Sequence, residues 1–143
     1  MRARKWRMIR VERGWAGHFV CSERCLFRRN TLLKYRNRRV IVSTVGMMRD
    51  GHGNGSGYDT IGTGGRYYET MAFEAKYEAP YWDADVTKRL SFNSEWAICA
   101  ESITKLPLDA DNLANEMHDK VVDEIAGVLV TELPRKPRKG KPC

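Results

Sequence analysis

The alternation of apolar and polar residues predicts β-strands over most of the chain. It is clearest in "RYYETMAFEAKY", residues 66–77, where a period of two separates an apolar face from a more polar one. The apolar face is predicted to carry Tyr67, Met71, Phe73, Ala75 and Tyr77. Glu69 falls on that same face, where an unpaired carboxylate is costly or stays protonated. The pattern therefore predicts a charged partner for Glu69.

Further runs of β-branched and apolar residues predict more strands. They cover residues 4–11, about 17–22, 31–35, 39–47 and 90–99. The sequence "RNR" at 36–38 predicts a turn, and so does "EAPYWDAD" at 78–85. Residues 51–65 are rich in glycine and are predicted to form a loop.

One helix is predicted near the C-terminus. Asp109 or Asp111 is the expected cap, and Pro134 is expected to end the helix. Its apolar stripe consists of Ala114, Met117, Val121, Ile125 and Val128. The predicted fold is therefore a single α+β domain over residues 1–133, a curved antiparallel β-sheet with one long C-terminal helix packed on it. Residues 134–143 are expected to be a disordered basic tail.

The net charge of +7 is concentrated at the two ends of the chain. Residues 1–13 carry six basic residues and one acidic residue, and residues 134–143 carry five basic residues and no acid. Residues 14–133 have a net charge of −3. Nucleic acid is thus expected as a partner only through the basic ends.

The sequence predicts a cytoplasmic protein. No run approaches the roughly 20 apolar residues that span a bilayer, and the N-terminal stretch lacks the apolar core of a signal peptide. The four cysteines are unevenly spaced, so reduced thiols are expected in place of a disulfide framework.

One basic island lies inside the domain. Residues 24–39 contain seven arginines and lysines and no acid. Two interpretations stay open: acids elsewhere in the fold neutralise the arginines, or the arginines bind phosphate oxygens in a bidentate way.

Two kinds of site chemistry have weak support. His18, Cys21 and Cys25 are soft metal ligands, but no second pair completes a tetrahedral site, so no metal and no cofactor is predicted. Asp83, Asp85 and His118 could serve acid–base catalysis, but no recognisable nucleophile or metal motif accompanies them. We therefore predict a binding protein and keep a small nucleotide-processing enzyme as an alternative.

The better-supported site is a pocket of arginines, aromatic rings and amides. Aromatic rings can stack on a base, and guanidinium groups can hold its phosphates. The predicted ligand-binding residues are Arg28, Arg29, Asn30, Arg66, Tyr68, Glu69, Phe73, Trp82, Phe92, Asn93 and Trp96. Glu69 is predicted to pair with Arg28 or Arg29 and to hold that guanidinium in place for phosphate.

Several stretches resemble a known family of small phage proteins. They are "GHFVCSERCLFRRNTLL", "VIVSTVGMM", "RYYETMAFEA", "YWDADV", "SFNSEWAI" and "NLANEMHDKVVDEI". Together they resemble the anti-Thoeris sponge family over about residues 11–131. The resemblance implies a non-enzymatic oligomer that sequesters cyclic ADP-ribose signals made by bacterial TIR-domain enzymes, with cyclic oligonucleotides as a second ligand class in some members.

We therefore expect a homo-oligomeric anti-defence protein that binds a cyclic ADP-ribose isomer at or near a subunit interface. The alternative is a phage accessory protein that binds nucleic acid or a host defence protein. That alternative predicts loss of binding when residues 134–143 are deleted.

Overall fold

The computed structural model describes residues 6–13, 17–18, 24–49, 58–61, 64–90, 96–99 and 108–131. The strands are β1 (Ile9–Glu12), β2 (Cys25–Tyr35), β3 (Arg38–Arg49), β4 (Tyr58–Asp59), β5 (Arg66–Glu78), β6 (Tyr81–Leu90) and β7 (Ala97–Cys99). They are followed by helix α1 (Leu108–Thr131). This arrangement confirms the predicted α+β class.

All strand pairs are antiparallel, and the main sheet has the order β1-β2-β3-β5-β6. Strand β5 uses one edge for two partners, because β7 pairs with its first residues and β6 with the later ones. The short β4 pairs with the end of β3. Consecutive strands are mostly neighbours, as short hairpin connections require.

The β2–β3 hairpin forms where the sequence is richest in β-branched residues. Its register pairs Tyr35 with Arg38 across a two-residue turn, Arg36 and Asn37. Arg36 has φ = 54°, which lies in the left-handed region that favours glycine or asparagine.

The sheet is strongly curved. Arg13 contacts two strands of the sheet. Its backbone N–H donates to the carbonyl of Asn30 on β2, and its guanidinium donates to the carbonyl of Trp82 on β6. In a flat sheet β2 and β6 would be about 14 Å apart, three steps of about 4.8 Å. That distance exceeds the reach of one arginine side chain, so the strands must curl toward each other.

Helix α1 packs on one face of this curved sheet. Its apolar side, which includes Val121, Ile125 and Leu129, covers Val42 and Ala72 in one continuous core. Near the start of the helix, Ala110 and Ala114 cover the buried ring of Tyr68. The long apolar stripe predicted from the sequence is therefore the surface that builds the core.

Several predicted boundaries were wrong. Helix α1 begins at Leu108, so Asp109 and Asp111 lie inside its first turn and neither precedes it as a cap. Strand β1 begins at Ile9, and Gly17 and His18 are not in a strand. The remainder of the predicted second strand, residues 19–22, lies outside the described residues.

The predicted turn at residues 78–85 was also wrong, because β6 already begins at Tyr81 and only Ala79 and Pro80 form the turn. Strand β6 contains a large bulge. Ala84 pairs with Ala75 and Arg89 pairs with Phe73, so residues 85–88 all lie opposite Glu74.

The cysteine prediction was wrong at one position. Cys99 is disulfide-bonded, whereas Cys25 is buried and is not part of that bond. No helix within the described ranges is long and apolar enough to cross a membrane. The basic tail, residues 134–143, lies outside the described residues.

Candidate functional site

The strand registers divide the candidate residues between two faces of the sheet. Paired residues in neighbouring strands share a face, and successive residues alternate between faces. We call the side covered by α1 the helix face and the opposite side the far face. The far face carries, from β2, β3 and β5, Arg28, Asn30, Leu32, Arg39, Ile41, Ser43, Val45, Glu69, Met71 and Phe73.

The predicted apolar face of β5 is the far face, yet α1 packs on the other one. Tyr68, Thr70 and Ala72 are buried beneath the helix. On the far face, Phe73 is buried too. Because both faces of β5 are covered, alternation alone could not identify the helix-packing face.

Glu69 lies on the far face, with its carboxylate held by two side chains. Its Oε2 is 2.8 Å from Nη1 of Arg66, and its Oε1 accepts a 3.0 Å hydrogen bond from Nε2 of His18. The Glu69 side chain is only 14% exposed and that of His18 only 3%. The carboxylate on the apolar face is thus explained by an ion pair with Arg66, which is near in sequence, and a hydrogen bond from His18, which is far away in sequence.

The prediction that Arg28 or Arg29 pairs with Glu69 was wrong. Arg28 shares a cross-strand row with Glu69, but Val45 lies between them. Arg29 points to the opposite face, where it pairs with Glu12 and Asp119 at 3.0 Å and 2.8 Å. Adjacent residues on one strand could not both reach the same pocket.

The pKa of Glu69 is lowered from its ordinary value. Burial by itself would raise the pKa, but the hydrogen bond from His18 and the positive charges of Arg66 and Arg89 outweigh it. The carboxylate is therefore ionised at neutral pH and forms a permanent negative charge beside Arg66.

Ser43, His18 and Glu69 form a hydrogen-bonded chain that has the outline of a hydrolase triad. The Oγ of Ser43 is 3.0 Å from Nδ1 of His18, whose Nε2 donates to Glu69. Ser43, however, is fully buried in the middle of β3, so a substrate cannot reach its hydroxyl. The chain instead fastens His18 to the sheet, and with both ring nitrogens engaged His18 is not free to bind a metal.

A second polar network lies between α1 and the helix face. His118 is fully buried, with Nε2 2.7 Å from the hydroxyl of Thr31 and Nδ1 2.7 Å from that of Thr44. Thr31 also donates to Glu12, so Nε2 of His118 donates and Nδ1 accepts. The neutral imidazole satisfies every partner in this chain.

Burial, reinforced by the positive charge of Arg29, lowers the pKa of His118 to about 4. His118 is therefore neutral at neutral pH and forms part of the helix–sheet contact. The other two candidates for acid–base work make local hydrogen bonds: Asp83 accepts from the N–H of Ala84, and Asp85 accepts from Thr87.

The arginines of the two faces differ in their partners. On the helix face, Arg10 pairs with Asp123 at 2.7 Å, Arg29 with Glu12 and Asp119, and Arg38 with Glu74. One interpretation of the basic island predicts that acids elsewhere in the fold neutralise its arginines. These contacts confirm that interpretation for Arg29 and Arg38.

The arginines on the far face have few acids near them. Glu69 is the one acidic residue that the registers of β2, β3 and β5 put there. Among the described residues Arg28 is exposed and contacts no carboxylate, and Arg39 donates to the carbonyls of Arg36 and Arg38. The far face therefore carries an excess of positive charge that the described carboxylates do not neutralise.

The predicted ligand residues do not form one cluster. Tyr68 is in the core and donates to Asp111 at 2.8 Å, and the buried Trp96 donates to Glu124 at 3.2 Å. Arg29 also lies on the helix side. The far face brings together Arg28, Asn30, Glu69 and Phe73, with Arg66 bound to Glu69. Phe92 and Asn93 lie outside the described residues.

Sequence reasoning considered His18 only as a metal ligand and did not assign Arg39 to this site. His18 lies 51 positions from Glu69, and no local pattern connects the two. Arg39 could have been found, because it shares its strand face with Ile41 and Ser43. Trp82, which was predicted, has the guanidinium of Arg39 5.7 Å from its ring centroid.

Comparisons of this chain with protein-family models, with curated proteins and with solved structures found no match.

Proposed function

We propose that this protein is a non-enzymatic phage anti-defence protein that binds and sequesters cyclic nucleotide signals of the cyclic ADP-ribose type in the cytoplasm of the infected bacterium. The observation that carries the proposal is the charge difference between the two faces. Arginines on the helix face are matched by carboxylates, while Arg28 and Arg39 on the far face contact none among the described residues. A pyrophosphate supplies the anionic oxygens that such guanidinium groups bind in a bidentate way.

The roles on the far face follow from the contacts. Arg28 is exposed and binds phosphate directly. Arg66 is held by Glu69 at 2.8 Å, so its guanidinium is already oriented when the ligand arrives. Trp82 is half-buried and offers a ring for base stacking. The protein acts as a homo-oligomer, with the ligand enclosed at or near a subunit interface.

Sequestration without turnover is tested by recovery of the ligand. The protein is incubated with a cyclic ADP-ribose isomer, separated from free ligand by filtration, and heated. We expect free signal to disappear and the heated complex to release unaltered cyclic ligand. Linear ADP-ribose, formed at a rate that depends on Asp83, Asp85 or His118, would instead identify an enzyme.

The site is tested with a matched pair of arginine variants. Arg28→Ala should weaken binding, measured by calorimetry, by roughly tenfold, the equivalent of one charged hydrogen bond. Arg10→Ala removes an exposed arginine that is paired with Asp123 on the helix face and should leave the affinity unchanged. Equal losses would show that net charge, and not the far face, determines binding.

Two further variants separate the alternatives. Deleting residues 134–143 should leave ligand binding intact, whereas a nucleic-acid or defence-protein binder that uses the tail would lose its partner. Glu69→Gln should lower ligand affinity because Arg66 is then no longer oriented.

The position of the site at a subunit interface is tested by the oligomeric state. An oligomer measured by light scattering should persist in Arg28→Ala, and a monomeric variant that binds at full strength would rule out an interface site.

A further inference from the structure

The two hairpin turns lie at the same end of the sheet, and a series of aromatic rings and guanidinium groups lies beside them. The β2–β3 turn contains Arg36 and Asn37, and the β5–β6 turn contains Ala79 and Pro80. The side chains of the series, which we call the tip ladder, are Trp6, Tyr35, Arg36, Arg39, Tyr77 and Trp82.

Two groups of side-chain contacts make up the tip ladder, and a hydrogen bond from Arg39 to the main chain of Arg36 joins them. The guanidinium carbon of Arg36 lies 5.4 Å from the ring centroid of Trp6 and 5.7 Å from that of Tyr35. Arg39 donates a 2.9 Å hydrogen bond to the carbonyl of Arg36 and lies 5.7 Å from the ring centroid of Trp82. These distances are typical of cation–π contacts.

The outer part of the ladder is open to solvent. The rings of Trp82 and Tyr77 are 5.3 Å apart and tilted by 55°, and Tyr77 is 59% exposed. Trp6 at the other end is 47% exposed, and Tyr81, beside Trp82, is 60% exposed. Large aromatic rings that contribute little to the core are available to stack on a partner.

Arg36 occupies a position that its backbone does not favour. With φ = 54°, the first turn residue adopts a conformation that glycine and asparagine accept more readily than arginine. A two-residue hairpin turn requires positive φ here, but it does not require arginine; backbone outliers of this kind cluster at functional sites. In addition, Nε of Arg39 is buried without a hydrogen-bond partner among the described residues.

We propose that the tip ladder binds single-stranded nucleic acid. Alternating rings and cations match a polymer in which flat bases alternate with phosphates: the bases stack on the exposed rings, and Arg36 and Arg39 bind the phosphates. A duplex hides the faces of its bases in its own stack and cannot bind in this way. This site lies beside the proposed cyclic nucleotide site and shares Arg39 and Trp82 with it. Arg36, Trp6 and Tyr77 belong to the tip ladder alone, so variants of Arg36 and Tyr77 test it independently of the cyclic nucleotide site.

The turn conformation of Arg36 provides a sharp test. Fluorescence anisotropy would measure binding of a labelled 12-nucleotide oligothymidylate to the full chain and to Arg36→Asn. We expect binding to weaken by about tenfold, the loss of roughly one stacked or charged contact. The melting temperature should stay the same or rise, because asparagine accepts the left-handed conformation.

One control variant and one further ladder variant exclude simpler explanations. Lys120→Gln removes an exposed positive charge from α1, far along the chain from the turns, and should leave oligonucleotide affinity unchanged. Tyr77→Ala removes an exposed ring and should weaken binding while the melting temperature is kept. If Arg36→Asn lowers the melting temperature and leaves affinity unchanged, Arg36 is a structural residue and the proposal is wrong.

The nature of the ligand is tested with two further probes. A 12-unit abasic oligonucleotide keeps the phosphates and lacks the bases, and it should bind about tenfold more weakly than oligothymidylate because stacking is lost. A duplex of the same length should also bind more weakly. Equal binding of all three would reduce the ladder to a general polyanion patch, and both basic ends of the chain would explain such binding.

Discussion

Glu69 and His118 are both largely removed from water, and the cost of that burial is compensated in opposite ways. Glu69 stays charged because His18 and Arg66 contact its two oxygens. His118 stays neutral because two threonine hydroxyls form hydrogen bonds with its two ring nitrogens, as donor and acceptor respectively. Each solution is specific to the groups nearby, so each can be tested with one substitution.

Replacing Glu69 by glutamine keeps the shape and removes the charge. We expect Glu69→Gln to lower the free energy of unfolding by about 1–3 kcal/mol, because hydrogen bonds between charged groups are lost in a mostly buried place. Urea denaturation at neutral pH measures this change.

The matched control is Glu74→Gln, on the same strand. Glu74 also pairs with an arginine, Arg38, but both side chains are about one-third exposed. We expect a loss below about 1 kcal/mol there, as for surface ion pairs. Similar losses at the two positions would contradict the account of Glu69 as a buried charge.

His118 should make stability depend on pH. Its pKa is about 4 in the folded protein, below the 6.5 of the unfolded chain, so the unfolded state binds more protons between these values. The free energy of unfolding should therefore fall as the pH drops from about 6.5 to about 4, by about 3 kcal/mol in total. Urea denaturation of the wild type and His118→Gln at several pH values isolates this contribution.

The lowered pKa of Glu69 acts in the same direction at lower pH, since its contribution is present above its unfolded value and is lost as the carboxylate protonates. It is common to the wild type and His118→Gln, so their difference belongs to His118. A difference that does not change with pH would mean that His118 is not held neutral by its burial.

At the scale of elements, two glycines have opposite surroundings. An added Cβ at Gly46 on β3 would lie only 2.7 Å from Cα of Tyr68 on β5, whereas one at Gly127 on α1 would meet nothing within 4 Å. Gly46 therefore permits the close approach of two strands. Gly127 serves no such purpose in the described structure.

The two glycine-to-alanine variants should change stability in opposite directions. We expect Gly46→Ala to destabilise by about 1–3 kcal/mol, because the neighbouring backbone must shift. Gly127→Ala should stabilise by about 0.5–1 kcal/mol, because alanine favours the helix. Thermal unfolding compares both with the wild type, and a harmless Gly46→Ala would refute the close approach.

The sequence predicted elements better than contacts. The β2–β3 hairpin and the long helix were recognisable because β-branched runs and an apolar stripe are local signals. The bounds of β6 were missed because "PYWDAD" contains residues typical of turns, although Trp82 and Asp83 belong to a strand. Pairing with β5 across the sheet makes these residues a strand, and this long-range pairing cannot be recognised from a single stretch of sequence.

The candidate site was less predictable, since it depends on which face each residue occupies. The sequence indicated correctly that Glu69 needs an arginine, and Arg66 three positions earlier is that arginine. It could not indicate His18, because only the fold brings residue 18 to the far face. Arg28 and Arg29 were treated together, yet strand alternation sends them to opposite sides of the sheet.

For the molecule as a whole, the disulfide at Cys99 should contribute to stability. Reduction, or Cys99→Ser, is expected to lower the free energy of unfolding by about 2–4 kcal/mol. Urea denaturation with and without reductant measures the effect. Cys99→Ser should show no further loss on reduction, and a wild type insensitive to reductant would mean that the bond adds nothing to stability.

The bulge in β6 determines where a second copy can extend the sheet. A regular outer strand presents a row of N–H and C=O groups that a neighbouring chain can continue, but residues 85–88 interrupt that row opposite Glu74 and end with Lys88. At the other border β1 is regular, with Ile9 and Val11 exposed. Within the main sheet of the described residues, β1 is therefore the regular border that a second copy could continue, and use of a single border would favour closed pairs over filaments.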